Sequence, residues 1–134
     1  MSSDWGLLVL RLVLGISFLG HGSQKMFGWF GGYGIAGTAG FLESIGVKPG
    51  KPAAFLAAAA ELGGGALVLL GLFTSLGALL ITGVMAVAIA TVHIKKGFWN
   101  ANGGFEYNLT IIAAVIALAS TGPGAYTIQS LLGR

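Results

Sequence analysis

The sequence predicts an all-α fold, an integral membrane four-helix bundle with a short interfacial helix in its first loop. Hydrophobic residues make up 55% of the 134 residues and charged residues only 8%, whereas soluble domains carry about 25% charge. Four apolar runs have lengths close to that of a membrane span. Glycine is abundant, with 24 residues and no three-residue period, which favours close helix packing. The length indicates a single domain, residues 1–134.

The first predicted span covers residues 5–27, with the sequence "WGLLVLRLVLGISFLGHGSQKMF". As one helix it measures about 33 Å, and the hydrocarbon core of a bilayer is about 30 Å thick. No basic residue precedes this run and no small-residue cleavage pattern follows it. We therefore expect the segment to be retained as a span and not removed as a signal peptide.

The second apolar region, residues 51–96, is too long for one crossing. Its apolar part would extend about 63 Å as a single helix, twice the thickness of the membrane. The best breaking point is "GLFTSLG", where Gly71 can end one helix and Thr74 or Ser75 can cap the next. The region therefore predicts two spans, at about 53–72 and 75–94.

The last predicted span is "FEYNLTIIAAVIALASTG", at about 105–122, and Gly122-Pro123-Gly124 ends it. The loop 28–52 contains "IAGTAGFLESIG", whose apolar residues lie roughly on one side of a helix. About 12 residues cannot cross a bilayer. This segment therefore predicts a short interfacial helix.

Charge distribution predicts the orientation. Four spans would place both termini on one side and loops 28–52 and 95–104 on the other. The loops carry most of the lysines, and the terminal side has Arg134 and Arg11, which would either snorkel or form a structural pair. The positive-inside rule then places the loops in the cytoplasm and the termini outside. Tryptophans at the span ends are typical of interfacial belts, and they are Trp5, Trp29 and Trp99.

The ionisable and amide side chains of the spans lie mostly in one half of the predicted bundle. Counted from the loop side at about 1.5 Å per residue, all but one of them fall in the half of the bundle nearest the two loops; they are His21, Gln24, Lys25, Glu61, His93, Glu106 and Asn108. Arg11 alone belongs to the other half. Ionisable groups within a membrane usually face the bundle interior or a wet cavity. We therefore expect one polar cavity on the loop side.

Each of these residues also has a structural interpretation. His21 would hydrogen-bond a neighbouring helix, Lys25 would snorkel to the headgroups, and Glu106 would interact with a helix dipole. Glu61 fits such an account least, because a lone carboxylate in "AAAAELGGGAL" needs a partner or a proton. Glycines 63–65 would permit a bend in the helix, the close approach of a ligand, or tight helix packing. Two histidines and two glutamates could bind a metal, and His21 with His93 a haem, but no H-x-x-x-H or E-x-x-H spacing occurs.

Several segments resemble the DoxX family of small four-helix membrane proteins. They are "RLVLGISFLGHGSQKMFGWFGGYG", "GTAGFLESIGVKPG", "AAELGGGALVLLGL", "HIKKGFWNANGGFEYNL" and "GPGAY", in the family's order. The resemblance implies the fold and a bacterial or archaeal cell membrane. Family members resemble the DoxD-type subunit of thiosulfate:quinone oxidoreductase or accompany redox and aromatic-detoxification functions. Members with cysteines suggest thiol chemistry, which this cysteine-free chain cannot perform.

These observations favour a quinone-linked oxidoreductase component. Glu61, His21 and Glu106 are the expected catalytic residues, and the expected ligand-binding residues are Gln24, Lys25, His93 and Asn108. A quinone is the favoured ligand, and metal and haem are disfavoured. One alternative is a non-enzymatic binder or transporter of a small hydrophobic molecule, and another is a membrane anchor for a soluble redox enzyme. Expected partners are the lipid bilayer, such an enzyme and further copies of the chain. A formal charge of +3 disfavours nucleic acid.

Overall fold

The computed structural model describes residues 3–133 and is helical throughout its regular structure. The helices are α1 (Ser3–Phe27), α2 (Gly34–Ser44), α3 (Gly50–Leu70), α4 (Thr74–Ala88), α5 (Glu106–Thr121) and α6 (Ile128–Leu132). Helix α4 continues as a π-helical turn over Ile89–His93 and a 3-10 turn over Ile94–Lys96, and a further 3-10 turn covers Asn100–Asn102. The all-α prediction is confirmed. Arg134, one of the charges used to predict orientation, lies outside the described residues.

Three helical segments have the length and composition of membrane spans. They are Ser3–Phe27, Gly50–Leu70 and Thr74–Lys96, close to the first three predicted spans. Helix α5 is apolar but has only 16 residues, or about 24 Å. The count of four spans depends on α5 and stays a prediction, as does the orientation of the chain in the membrane. Helix α6 was not predicted, because its five residues carry no measurable periodicity.

The α3–α4 connection breaks where the sequence predicted, but with a different cap. Gly71 follows α3 in the left-handed conformation, with φ of 68°, which glycine adopts without a side-chain clash. The prediction that Thr74 or Ser75 caps α4 is wrong. Phe73 occupies the N-cap position with no side-chain hydrogen bond to the helix. Its backbone N–H donates to Gln129 Oε1 at 3.1 Å, so α6 supports this turn.

Glycines bring α3 into close contact with both neighbouring helices. A Cβ atom on Gly65 would lie 3.0 Å from the Gly15 carbonyl oxygen of α1. A Cβ atom on the adjacent Gly64 would lie 3.1 Å from the Gly77 carbonyl oxygen of α4. Because small residues let helix backbones approach closely, this part of the glycine run serves packing. The adjoining core is apolar and includes Leu14, Phe18, Val68, Ile81, Val115 and Leu118.

Arg11 lies at the opposite end from the loops and holds three chain segments together. Its side chain is 2% exposed. Its guanidinium donates to the carbonyl oxygens of Val68 and Leu69, at 3.0 and 2.9 Å, and of Pro123 and Tyr126, at 3.2 and 2.9 Å. The first two are carbonyls of the last turn of α3, which have no partners within the helix. Of the two alternatives for Arg11, snorkelling and a structural role, the structure shows the second, because Arg11 supplies donors to the end of α3 and to the chain after α5.

Candidate functional site

A cavity of about 760 Å³ occupies the loop-side half of the bundle. We call it the loop-side cavity. Helices α1, α2, α3, α4 and α5 all contribute to its wall, which is mainly apolar. Its polar and ionisable lining residues are His21, Lys25, Thr38, Glu61, Thr91, Tyr107 and Asn108. Such a cavity, apolar with a few convergent polar groups, is typical of small-molecule sites.

Glu61 and Lys25 form an ion pair at the cavity. The Lys25 ammonium donates to Glu61 Oε1 at 2.6 Å. The side chain of Glu61 is 1% exposed and that of Lys25 is 33% exposed. Gly22 makes this pair possible, because a Cβ atom there would lie 2.9 Å from the backbone nitrogen of Leu62. The two backbones therefore approach one turn before Lys25 and next to Glu61.

The second carboxylate oxygen of Glu61 is buried and has no hydrogen-bond partner among residues 3–133. Glu61 lies in the interior of α3, between Gly50 and Leu70, where backbone N–H groups are already used by the helix. A buried polar atom without a partner is costly and rare. This oxygen is therefore a buried acceptor for which the described chain supplies no donor.

His21 takes part in a chain of hydrogen bonds at the cavity wall. Gln24 Nε2 donates to the Phe30 carbonyl oxygen at 3.1 Å, so Gln24 Oε1 accepts from His21 Nδ1 at 3.2 Å. In the neutral imidazole this leaves Nε2 without a proton, and Nε2 lies 3.5 Å from the Tyr107 hydroxyl. Gln24 is not a lining residue. It fixes the tautomer of His21, as partners of a histidine commonly do.

Asn108 adds a second unpaired acceptor. Its side chain is 4% exposed, and Nδ2 donates to the Met85 sulfur at 3.5 Å. Its Oδ1 has no partner within the described chain. Both Glu61 and Asn108 line the loop-side cavity. The site therefore presents two buried oxygen acceptors that lack donors.

The structure does not bring His93 and Glu106 to this cavity. His93 Nδ1 lies 2.7 Å from the Gly103 carbonyl oxygen, and Glu106 Oε1 accepts from the Asn100 backbone N–H at 3.1 Å. Both side chains hold the loop between α4 and α5, and neither lines the cavity. The depth estimate assumed a regular α-helix, but the chain widens to a π-helical turn over Ile89–His93, which changes the direction of later side chains. Among residues 3–133, no group of three or more His, Asp or Glu residues could hold a metal ion.

Sequence reasoning missed three parts of the site. Tyr107 lies between two predicted site residues and was not considered, although its hydroxyl has the same depth. Thr91 lines the cavity from the π-helical turn, a deviation that often accompanies functional sites. Helix α2 was predicted only as interfacial, but Thr38, Phe41 and Leu42 line the cavity. The available signal was the apolar composition of α2, in which Thr38 is the one polar side chain before Glu43.

Comparison with known proteins identifies the family. The family model described as DoxX matches residues 6–94. The chain belongs to the DoxX family. "Inner membrane protein YqjF" of Escherichia coli K12 is 35% identical over 133 residues, covering 98% of this chain and 95% of that protein. "Putative oxidoreductase CatD" of Bacillus subtilis 168 is 36% identical over 121 residues, covering 90% of this chain and 82% of that protein.

A third relative of this DoxX chain is "Inner membrane protein YphA" of Escherichia coli K12, 30% identical over 131 residues and covering 92% of this chain and 87% of that protein. No solved structure matches the chain. The family, the inner-membrane relatives and the apolar helices together show an integral membrane protein. The name of the Bacillus subtilis relative describes that protein as a putative oxidoreductase.

Proposed function

We propose that this DoxX protein is the quinone-binding component of a membrane oxidoreductase. The observation that carries the proposal is a half-paired buried carboxylate, Glu61, in the wall of a mainly apolar cavity of about 760 Å³. Pockets of about 300–1,000 Å³ accept small organic ligands. A quinone has an apolar ring and two polar oxygens, and therefore matches a wall of this kind.

The wall offers contacts for both parts of a quinone. Apolar side chains such as Leu80 and Val84 would contact the ring. Lys25 has N–H groups beyond the one that pairs with Glu61, and these would donate to a ring oxygen. Glu106, predicted as a catalytic residue, has no part in this arrangement because its carboxylate binds the Asn100 backbone.

Reduction of a bound quinone to a hydroquinone takes two electrons and two protons. Glu61 and Lys25 form a pair of titratable groups at the ring, and Tyr107 with His21 forms a second pair, so each ring oxygen would have its own route for a proton. The electrons would come from a soluble redox enzyme or directly from a donor substrate. We further propose that this enzyme docks on the cytoplasmic side, at loops 28–52 and 95–104.

The cavity can be filled to test the proposal. Gly83 lines it, and a Cβ atom there would meet nothing within 4 Å. Gly83→Leu should therefore place a bulky side chain in the cavity without displacing backbone, and weaken binding of decylubiquinone by tenfold or more in nanodiscs, measured by equilibrium dialysis. Gly20→Leu is the matched control, since Gly20 has equally open surroundings and does not line the cavity. Equal binding by both variants would contradict the proposal.

A second candidate function is binding or transport without turnover. It is favoured by the position of His93 and Glu106, because two of the predicted functional groups bind a loop and not the cavity. Membranes containing the protein should reduce decylubiquinone when supplied with the soluble fraction of the same cells, and Gly83→Leu should abolish the increment. Binding without any such increment would favour the second candidate.

A further inference from the structure

The two unpaired acceptors of the loop-side cavity indicate which form of the ligand fits best. We propose that the cavity selects a hydroxylated aromatic, a hydroquinone or phenol, whose O–H groups donate to Glu61 Oε2 and Asn108 Oδ1. The proposal deepens the function proposed above and rests on it. It concerns the hydrogen-bonding character of the ligand, which the apolar wall alone does not define.

Burial makes the missing donors costly. Glu61 and Asn108 are 1% and 4% exposed, and their free oxygens have no partner in the part of the chain that the structure describes. A buried acceptor without a donor loses its hydration and gains nothing in return. A ligand that brings an O–H group to each oxygen removes this cost. Both residues line one cavity, and we infer that a small rotation of each side chain would bring its free oxygen to a single ligand there.

Several donors around the cavity already have acceptors, so the wall offers few N–H or O–H groups to a ligand that only accepts. Asn108 Nδ2 donates to the Met85 sulfur, His21 Nδ1 donates to Gln24, and the Tyr107 hydroxyl faces the unprotonated nitrogen of His21. Lys25 retains spare N–H groups but is partly exposed. A quinone carbonyl near Glu61 Oε2 would place two acceptors together, whereas a hydroquinone hydroxyl would donate to the carboxylate in a charge-assisted hydrogen bond.

Preferential binding of the hydroquinone would also assist the proposed reaction. By linkage, a site that binds the reduced form more tightly raises the reduction potential of the bound couple. For a two-electron couple, each tenfold preference corresponds to about 30 mV. The cavity would therefore draw electrons from the donor toward the bound quinone, and the shift can be measured independently of turnover.

Three ligands with one carbon skeleton test the preference: decylubiquinol kept reduced under anaerobic dithionite, decylubiquinone, and the dimethyl ether of decylubiquinol. Each is titrated against the full chain in nanodiscs by equilibrium dialysis. We expect decylubiquinol to bind about tenfold or more tighter than either of the others, since one hydrogen bond to a charged group accounts for about tenfold. The ether controls for ring oxidation state, because it is reduced but has no O–H donor.

Two variants assign the preference to the two oxygens. Glu61→Gln replaces one acceptor by an amide that can donate, so the preference for decylubiquinol should disappear or reverse toward decylubiquinone. Asn108→Leu removes the other acceptor and should reduce the preference about threefold, because the Asn108 oxygen is uncharged. Asp4→Asn is the matched control for a carboxylate-to-amide change, because Asp4 lies at the other end of α1 and accepts from the Ala125 N–H. Circular dichroism of each variant verifies helix content.

The outcomes separate this inference from the proposed function. Binding of decylubiquinone as tight as that of decylubiquinol would overturn the inference and leave quinone binding intact. Binding of the ether as tight as that of decylubiquinol would also overturn it, because the O–H groups would then contribute nothing. Failure of all three ligands to bind would overturn both. An unchanged preference in folded Glu61→Gln and Asn108→Leu would show that other atoms select the ligand.

Discussion

The two ends of the bundle each bury an ionisable side chain, and they treat it differently. Arg11 is 2% exposed and donates to four carbonyl oxygens from α3 and the segment after α5. Glu61 is 1% exposed and has one partner, Lys25, with its other oxygen unpaired. A buried charge whose nitrogens all have acceptors stabilises a structure, and one with an unpaired oxygen beside a cavity is a candidate for ligand binding.

Position along α3 explains the difference. Arg11 meets the C-terminal turn of α3, where carbonyl groups lack helical partners and the helix dipole favours a cation. Glu61 lies within α3, where every backbone group is used by the helix. Only side chains from other helices can pair with it, and the structure supplies one. The same helix therefore provides a complete site at its end and an incomplete one in its interior.

Replacement of the two buried charges should have unequal effects on stability, and this is the largest effect we expect. Arg11→Met removes a donor from four carbonyl groups, of which that of Val68 keeps the Gly71 N–H, and each buried group left without a partner costs about 1–3 kcal/mol. We expect a loss of about 3 kcal/mol or more in the free energy of unfolding, measured by denaturant titration in detergent micelles. Glu61→Gln should lose less than half as much, because Lys25 is partly exposed and can turn toward water.

The distinction between a structural Arg11 and a ligand-binding Glu61 would be contradicted if Glu61→Gln were as destabilising as Arg11→Met. The Glu61–Lys25 pair would then be a structural ion pair of the kind that fails when one partner is removed, and the argument for a ligand at Glu61 would lose its basis. Arg11→Lys serves as the control, since it keeps the charge and one group of donors but lacks the planar fork. It should fall between the wild type and Arg11→Met.

The sequence predicted the residues around Glu61 better than the partners of Arg11. Depth along the spans was enough to select His21, Lys25, Glu61 and Asn108, because an ionisable or amide group in an apolar helix must face the interior. It misplaced His93, because nothing in "ATVHIKK" shows that the helix widens there. The partners of Arg11 include carbonyls more than 110 residues away, and backbone carbonyls leave no mark in a sequence.

Alanine substitutions at the glycine contacts between α1 and α3 can disturb each end of the bundle separately. We expect their effects on stability to be intermediate in size. A Cβ atom on Gly15 would lie 2.6 Å from Leu69 Cβ, beside the Arg11 site, and one on Gly22 would lie 2.9 Å from the Leu62 nitrogen, beside Glu61. Overpacking costs about 1–3 kcal/mol. Both Ala variants should lose this much stability, but only Gly22→Ala should also weaken binding of decylubiquinol.

Gly20→Ala is the matched control for these variants, because a Cβ atom there meets nothing within 4 Å. It should be neutral or slightly stabilising, since alanine favours a helix more than glycine does. Equal loss of ligand binding in Gly15→Ala and Gly22→Ala would contradict the separation of the two ends. The two variants would then show that strain at one contact between α1 and α3 affects the whole interface of these helices.

The smallest expected effect concerns the edge of the incomplete site. The Tyr107 hydroxyl lies 3.5 Å from His21 Nε2 and the residue is 39% exposed, a distance at which a hydrogen bond contributes little. Tyr107→Phe should therefore weaken binding of decylubiquinol by about twofold, which corresponds to about 0.5 kcal/mol. His93→Gln is the comparison, since His93 binds the Gly103 carbonyl oxygen outside the cavity and should leave binding unchanged. Binding of decylubiquinol is measured by equilibrium dialysis in nanodiscs. Weaker binding by His93→Gln than by Tyr107→Phe would show that His93 belongs to the ligand site, which would then extend to the end of α4.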